Sequence, residues 1–239
     1  MHLPILTPEY YATGILGLML LCASSSALAS YTKLRFARCF QDYDATYAVT
    51  LVVVVTYGLL IGAPSLALPI EGGLLAASSW LAAGLTAGFL AFHADRRIVA
   101  LIRPHLTPNV ANAMPTPQRT RPSGHSMPPG SLHSVQSPQT RLFVLLTSAG
   151  LEEVAFRGFM LQTFLFVRPF VAQAALVAAL IPVFALTHLW FGWTQVAAKL
   201  PLAALTLGVA LSSNSLTPAI ATHLMFNMLI WRRERIAWR

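Results

Sequence analysis

Two adjacent glutamates, Glu152 and Glu153, and the nearby Arg157 lie in a stretch, residues 142–167, that is otherwise almost entirely apolar. A charged side chain at the centre of a membrane helix costs about 2.5–3.5 kcal/mol, and ionisable groups there mark candidate functional sites. On a helix Glu153 and Arg157 share a face, whereas Glu152 is rotated by about 100°. We therefore expect Arg157 to neutralise Glu153 and Glu152 to be the carboxylate that acts chemically.

Two further pairs of residues in apolar segments have the same helical spacing. Phe184 and His188 share one face, and His223 and Asn227 are one turn apart. A single histidine or asparagine in a membrane helix often only forms a hydrogen bond between helices. Likewise, Glu153 and Arg157 can form an ion pair that is purely structural. Taken together, two glutamates, two histidines and an asparagine in three segments predict one water-accessible pocket.

The residue types of this pocket favour hydrolysis of a carbonyl compound, most plausibly a peptide bond. A carboxylate in a water-poor cavity can act as the general base that takes a proton from water, and an imidazole can orient that water. A second imidazole together with an amide can donate to a developing oxyanion. Neither a Ser-His-Asp arrangement nor an HExxH motif is visible. Zinc bound by Glu152, His188 and His223 is an open alternative, because all three are acceptable zinc ligands.

The composition predicts a membrane protein that is all-α, a polytopic transmembrane helix bundle. Of the 239 residues, 56% are hydrophobic and 10% charged, whereas soluble domains carry about 25% charged residues. The net charge of +8 could suggest nucleic acid, but the basic residues lie at the ends of apolar segments and form no basic and aromatic face. The expected partner is thus the lipid bilayer. About seven spans are predicted, at 12–30, 47–68, 73–93, 142–167, 171–189, 195–211 and 216–231.

Basic residues are concentrated on one side of these predicted spans. With the amino terminus outside, all Lys and Arg except Arg157 and Arg168 fall on the cytoplasmic side, Lys199 included. The carboxyl terminus is then cytoplasmic, and the short chain favours a bacterial inner membrane over the endoplasmic reticulum.

Composition also divides the chain into four parts. Residues 1–94 form a three-span membrane region, and 95–140 a Pro/Ser-rich basic segment that we predict to be a flexible cytoplasmic linker. Its first part, 96–103, alternates basic and aliphatic residues, which predicts a short helix on the anionic membrane surface. Residues 141–231 form a four-span core that holds all the candidate site residues. A basic tail, 232–239, follows.

The order of the motifs adds a family resemblance. Glu152-Glu153-x-x-x-Arg157-Gly158, then Phe184-x-x-x-His188, then His223-x-x-x-Asn227 resemble the three motifs of the CPBP family. This family, also called Abi, comprises CAAX proteases and bacteriocin-processing enzymes.

The resemblance implies an intramembrane endopeptidase, a hydrolase that acts on a membrane-associated peptide or protein, prenylated or not. By the same resemblance Glu152 activates water with His188 as its partner, and His223 and Asn227 stabilise the oxyanion. Glu153, Arg157 and Phe184 are then supporting residues. Both a zinc metalloprotease and a metal-free glutamate mechanism are proposed for the family, and the motifs fit either.

Two other classes of protein fit part of the pattern. A non-catalytic binding or immunity protein could keep the fold, but binding alone would not require Glu152, His188, His223 and Asn227 together. A proton-coupled transporter could use Glu and His as a relay. Transporters usually contain two related repeats, and the first half of this chain has no second copy of the Glu-Glu motif.

Overall fold

The computed structural model describes residues 51–53, 55–56, 73–102, 138–165 and 167–237, and all regular structure within them is helical. The predicted span 12–30 and most of the span 47–68 lie outside the described residues. The same holds for residues 103–137 of the predicted linker and for the last two residues of the tail.

Six α-helices make up most of the described structure: α1 (Gly73–Ile102), α2 (Pro138–Glu153), α3 (Leu161–Leu165), α4 (Phe170–Leu186), α5 (Trp193–Ser213) and α6 (Thr217–Ala237). A π-helical segment, Val154–Met160, joins α2 to α3, and a single 3₁₀ turn, Leu189–Phe191, lies between α4 and α5.

Two of the described helices, α1 and α5, are long and apolar enough to cross a membrane, and α4 is apolar but shorter. The all-α class is therefore confirmed for the described residues, while the count of seven spans is not. Charged and polar site residues interrupt the apolar run through α2, and arginines occupy the end of α6.

Helix α6 is the central helix of the described bundle. It packs against α1, α2 and α5, and α5 also packs against α1 and α4. The closest approach is between α1 and α6, where a Cβ atom on Gly84 or Gly88 would collide with the backbone carbonyls of Pro218 and Thr222. Gly84 and Gly88 form a GxxxG pair, the spacing that lets two membrane helices come close together.

Helices α1 and α6 extend beyond the predicted spans. Helix α1 continues to Ile102, so the helix predicted near residues 96–103 is the end of α1 and not a separate interfacial helix. The helix persists because Asp95 is buried against the bundle and the Arg96 guanidinium lies over the Phe92 ring at 5.9 Å. Likewise α6 runs to Ala237, so most of the predicted tail is helix.

Candidate active site

Arg157 lies in the middle of the π-helical segment and is completely buried. Its Nε is 3.4 Å from Glu153 Oε2, so the predicted ion pair is present. Its Nη2 donates to the backbone carbonyl of Ala203 in α5 at 3.1 Å, and its guanidinium lies 4.4 Å from the centre of the Phe184 ring. A carboxylate, a carbonyl and an aromatic face thus hold this cation, which offsets part of its desolvation cost.

Glu153 also reaches across to α6. Its Oε1 is 2.7 Å from Nδ1 of His223, and both side chains are buried. A carboxylate can only accept hydrogen bonds, so in a contact with the Glu153 carboxylate the proton is on His223 Nδ1. Besides pairing with Arg157, Glu153 therefore fixes the orientation of the His223 ring.

Glu152 lies on the other side of the same ring. Its Oε2 is 3.6 Å from His223 Nε2, within ion-pair range but longer than a hydrogen bond. His223 therefore lies between two buried carboxylates, with Nδ1 toward Glu153 and Nε2 toward Glu152. A proton on this side of the ring can pass between Nε2 and Glu152 after a small movement of either group.

The charges of this cluster do not balance without an additional proton. Two carboxylates, Glu152 and Glu153, face the single guanidinium of Arg157, and all three side chains are buried. With both glutamates ionised and His223 neutral, the cluster carries one net negative charge. Burial penalises an uncompensated charge strongly, and one additional proton, on Glu152 or on His223 Nε2, would make the cluster neutral. Taking a proton from water is the task of a general base.

His188 comes from the turn that follows α4, because the helix ends at Leu186. The Thr187 hydroxyl donates to the carbonyl of Phe184 at 2.7 Å and is 3.1 Å from His188 Nδ1. Because the Thr187 hydroxyl donates its proton to the Phe184 carbonyl, it can only accept from His188 Nδ1. Nδ1 of His188 therefore carries the ring proton, and Nε2 is the accepting nitrogen. In both histidines, then, a neighbouring residue fixes Nδ1 as the donor.

Phe184 is fully buried and contacts both histidine rings. Its ring centre is 5.5 Å from the His188 ring, 5.7 Å from the His223 ring and 5.3 Å from the Phe156 ring. Together with the Arg157 guanidinium, these contacts make Phe184 the apolar centre around which the polar groups are arranged.

Asn227 lies one turn beyond His223 on α6. Its Nδ2 donates to the backbone carbonyl of Leu145 in α2 at 3.2 Å, which fixes the amide. Because Nδ2 carries two protons, one bond to Leu145 still allows the amide to donate to a second acceptor.

Across the described residues, no three His, Cys, Asp or Glu side chains are grouped so that they could hold a metal ion. Glu152, His188 and His223 are among the residues to which this finding applies, and zinc bound by these three stays a prediction.

The three motifs are brought together by packing of α2, the π-helical segment, α4, α5 and α6. Sequence reasoning missed Thr187 and the Ala203 carbonyl, although Thr187 directly precedes a singled-out histidine. It also placed Lys199 among the cytoplasmic flanking charges. In the structure Lys199 is buried and pairs with Asp95 of α1 at 2.7 Å.

Two buried glutamates, the buried His223 and the half-buried His188 lie among helices of which two are long and apolar enough to cross a membrane, and they define a candidate active site. Residues 135–229 match the sequence model of the family described as type II CAAX prenyl endopeptidase Rce1-like, which agrees with the resemblance that the motifs indicate. Members of this family are integral membrane proteins. The matched residues include nearly all of α2 to α6 apart from the end of α6, and they exclude α1. Comparison with curated proteins and with solved structures finds no match to this chain.

Proposed function

We propose that the protein is an intramembrane endopeptidase that uses Glu152 to hydrolyse a peptide bond in a membrane-associated peptide or protein. The observation that carries this proposal is the placement of His223 between Glu152 and Glu153, at 3.6 and 2.7 Å. The family match to CAAX-type endopeptidases supports the same chemistry.

In the proposed reaction, Glu152 removes a proton from a water molecule, and the resulting hydroxide attacks the scissile carbonyl carbon. His188, whose Nε2 is an acceptor, orients that water. The oxyanion that develops on the carbonyl oxygen accepts from the second Nδ2 proton of Asn227 and from His223 Nε2, which carries the additional proton of the cluster before the reaction while Glu152 is ionised. The C–N bond then breaks as the leaving amine takes the proton held by Glu152.

Supporting residues hold these groups at the required distances. Glu153 fixes His223, and Arg157 fixes Glu153 while bonding to the Ala203 carbonyl. The buried Phe184 ring contacts both histidines, so these groups act beside an apolar surface of low dielectric constant. No step of this reaction requires a metal ion.

The membrane setting is part of the proposal. Seven spans with a cytoplasmic carboxyl terminus would place the site within the bilayer, and a bacterial inner membrane fits the charge distribution along the sequence. Substrates with a carboxyl-terminal CAAX motif, with or without a prenyl group, are the first class to test, followed by bacteriocin-type peptides.

The test uses the full chain in lipid nanodiscs with fluorogenic CAAX peptides, each in prenylated and unmodified form. We expect cleavage by the wild-type protein and none by Glu152→Gln, a substitution that keeps the side-chain shape. Glu234→Gln, the same change at the end of α6, is the matched control and should cleave normally. Full activity in folded Glu152→Gln would refute the mechanism, and substrate binding without cleavage by the wild-type protein would favour a binding or immunity protein.

A further inference from the structure

Helices α1 and α5 are joined by an ion pair that lies outside the motifs of the site. Lys199 Nζ is 2.7 Å from Asp95 Oδ1, and the two side chains are only 11% and 7% exposed. Asp95 belongs to α1 and precedes the matched segment 135–229. A buried ion pair is often no more stabilising than apolar residues of similar size, so stability alone does not explain it.

The ammonium of Lys199 also contacts α6. It lies 4.5 Å from the centre of the Phe226 ring, and the Phe92 ring of α1 contacts Phe226 edge to face at 6.5 Å. Phe226 is buried, so Lys199 and Phe92 hold this ring in place.

Phe226 shares its side of α6 with the site residues. His223, Phe226 and Asn227 are related as i, i+3 and i+4 on this helix and are therefore neighbours on its surface. A rotation of α6 that displaced Phe226 would also withdraw His223 from Glu153, and the 2.7 Å contact tolerates little displacement.

On α5, Lys199 lies one turn before Ala203, whose carbonyl accepts from Arg157. Lys199 and the carbonyl that accepts from Arg157 thus lie one turn apart on α5. The Asp95 pair is therefore connected to the site through both α5 and α6.

We propose that Asp95 and Lys199 are positioning residues: through Phe226, their ion pair fixes the rotation of α6 that places His223 between the two glutamates. Helix α1, which the family match does not include, then completes the active arrangement. This inference rests on the proposed function for its kinetic test, but its structural test is independent of cleavage.

The kinetic test uses a double variant, Asp95→Leu with Lys199→Met, in the full chain. Removing both charges leaves no unpaired ion, so the protein should fold with a thermal midpoint close to that of the wild type. We expect kcat to fall about 10- to 100-fold with KM nearly unchanged, because a displacement of about 1 Å at a catalytic group has an effect of this order. Wild-type kcat in the folded double variant would overturn the proposal.

The control is Thr86→Ala, also on α1, where an exposed hydroxyl bonds only within its own helix to the Ala82 carbonyl at 2.8 Å. This variant should have wild-type kcat and KM. If kcat of Thr86→Ala fell as far as kcat of the double variant, the effect would belong to α1 in general, and a specific role of the ion pair would be refuted.

The structural test uses NMR to follow the ring ¹⁵N signals of His223 in protein labelled with ¹⁵N-histidine. The His223 signals are identified by their absence from the His223→Gln variant. We expect the ring-nitrogen shifts to change in the double variant and to remain unchanged in Thr86→Ala. Unchanged His223 signals in the double variant would overturn the positioning role whether or not any peptide is cleaved. If the wild-type protein cleaves no peptide, the proposed function fails, and these signals still decide the positioning role.

Discussion

His223 Nδ1 lies 2.7 Å from Glu153 Oε1, although the two residues are separated by 70 positions in the chain. The contact joins the end of α2 to the middle of α6 and turns His223 Nε2 toward Glu152. An imidazole whose one nitrogen is fixed by a carboxylate, while the other faces the reacting groups, is a recurring arrangement in hydrolytic sites.

Glu153→Gln tests this contact. The amide can donate to His223 Nδ1 as well as accept from it, so the ring is no longer held in a single tautomer. We expect kcat to fall by about 10²–10⁴-fold, by analogy with replacement of the orienting carboxylate in serine proteases. The ¹⁵N signals of His223 should shift toward the other tautomer, and wild-type kcat together with unchanged signals would contradict the assignment.

Thr187→Val tests the corresponding contact of His188. Valine keeps the shape but removes the hydroxyl that accepts from Nδ1, so kcat should fall about 10-fold while the thermal midpoint changes little. Thr163→Val is the matched control, because the Thr163 hydroxyl is also buried but bonds to the Phe159 carbonyl in its own helical run. Equal losses in both variants would argue against a specific role for Thr187.

Arg157→Met tests how the carboxylate pair is stabilised. Without the guanidinium, Glu153 is a buried charge that has lost its cationic partner, and the free energy of unfolding should decrease by about 3–5 kcal/mol. Thermal or denaturant unfolding in detergent measures this loss. Adding Glu153→Gln to Arg157→Met should restore most of the stability without restoring cleavage, and a double variant no more stable than the single one would contradict the pairing.

Gly88→Ala tests the close packing of α1 on α6. The added methyl group would collide with the Thr222 carbonyl, and overpacking of this kind costs about 1–3 kcal/mol. Gly208→Ala in α5 is the matched control, since nothing lies within 4 Å of the added carbon. We expect it to be neutral or to stabilise by up to about 1 kcal/mol, because alanine is the better helix former. Equal unfolding free energies for the two variants would refute the close contact.

Metal dependence can be measured directly. Because the described Glu and His side chains do not form a three-ligand group, we expect cleavage to persist after treatment with a strong chelator. Elemental analysis of the purified protein gives the number of metal ions bound per protein molecule. Loss of activity on chelation, with recovery on adding zinc, would show that the ligands rearrange around a metal.

The sequence predicts the helical class, the three motifs and the Glu153–Arg157 pair, because each depends on composition or on spacing within one helix. The length and hydropathy of an apolar stretch predict a membrane helix. Residues four apart in the chain lie on one face of such a helix. The ends of helices were predicted less well. The alternation of basic and aliphatic residues over 96–103 predicts a separate short helix, whereas in the structure these residues continue α1 and the adjoining Asp95 is buried.

Only the tertiary structure decides which residues from different helices meet. Spacing along the chain could not show that Glu153 contacts His223, that Arg157 reaches the Ala203 carbonyl, or that Lys199 pairs with Asp95. These contacts depend on the rotation and approach of α1, α5 and α6, which the packing of many side chains and of Gly84 and Gly88 sets jointly. The sequence by itself therefore determined the chemical groups of the site, and helix packing determined their partners.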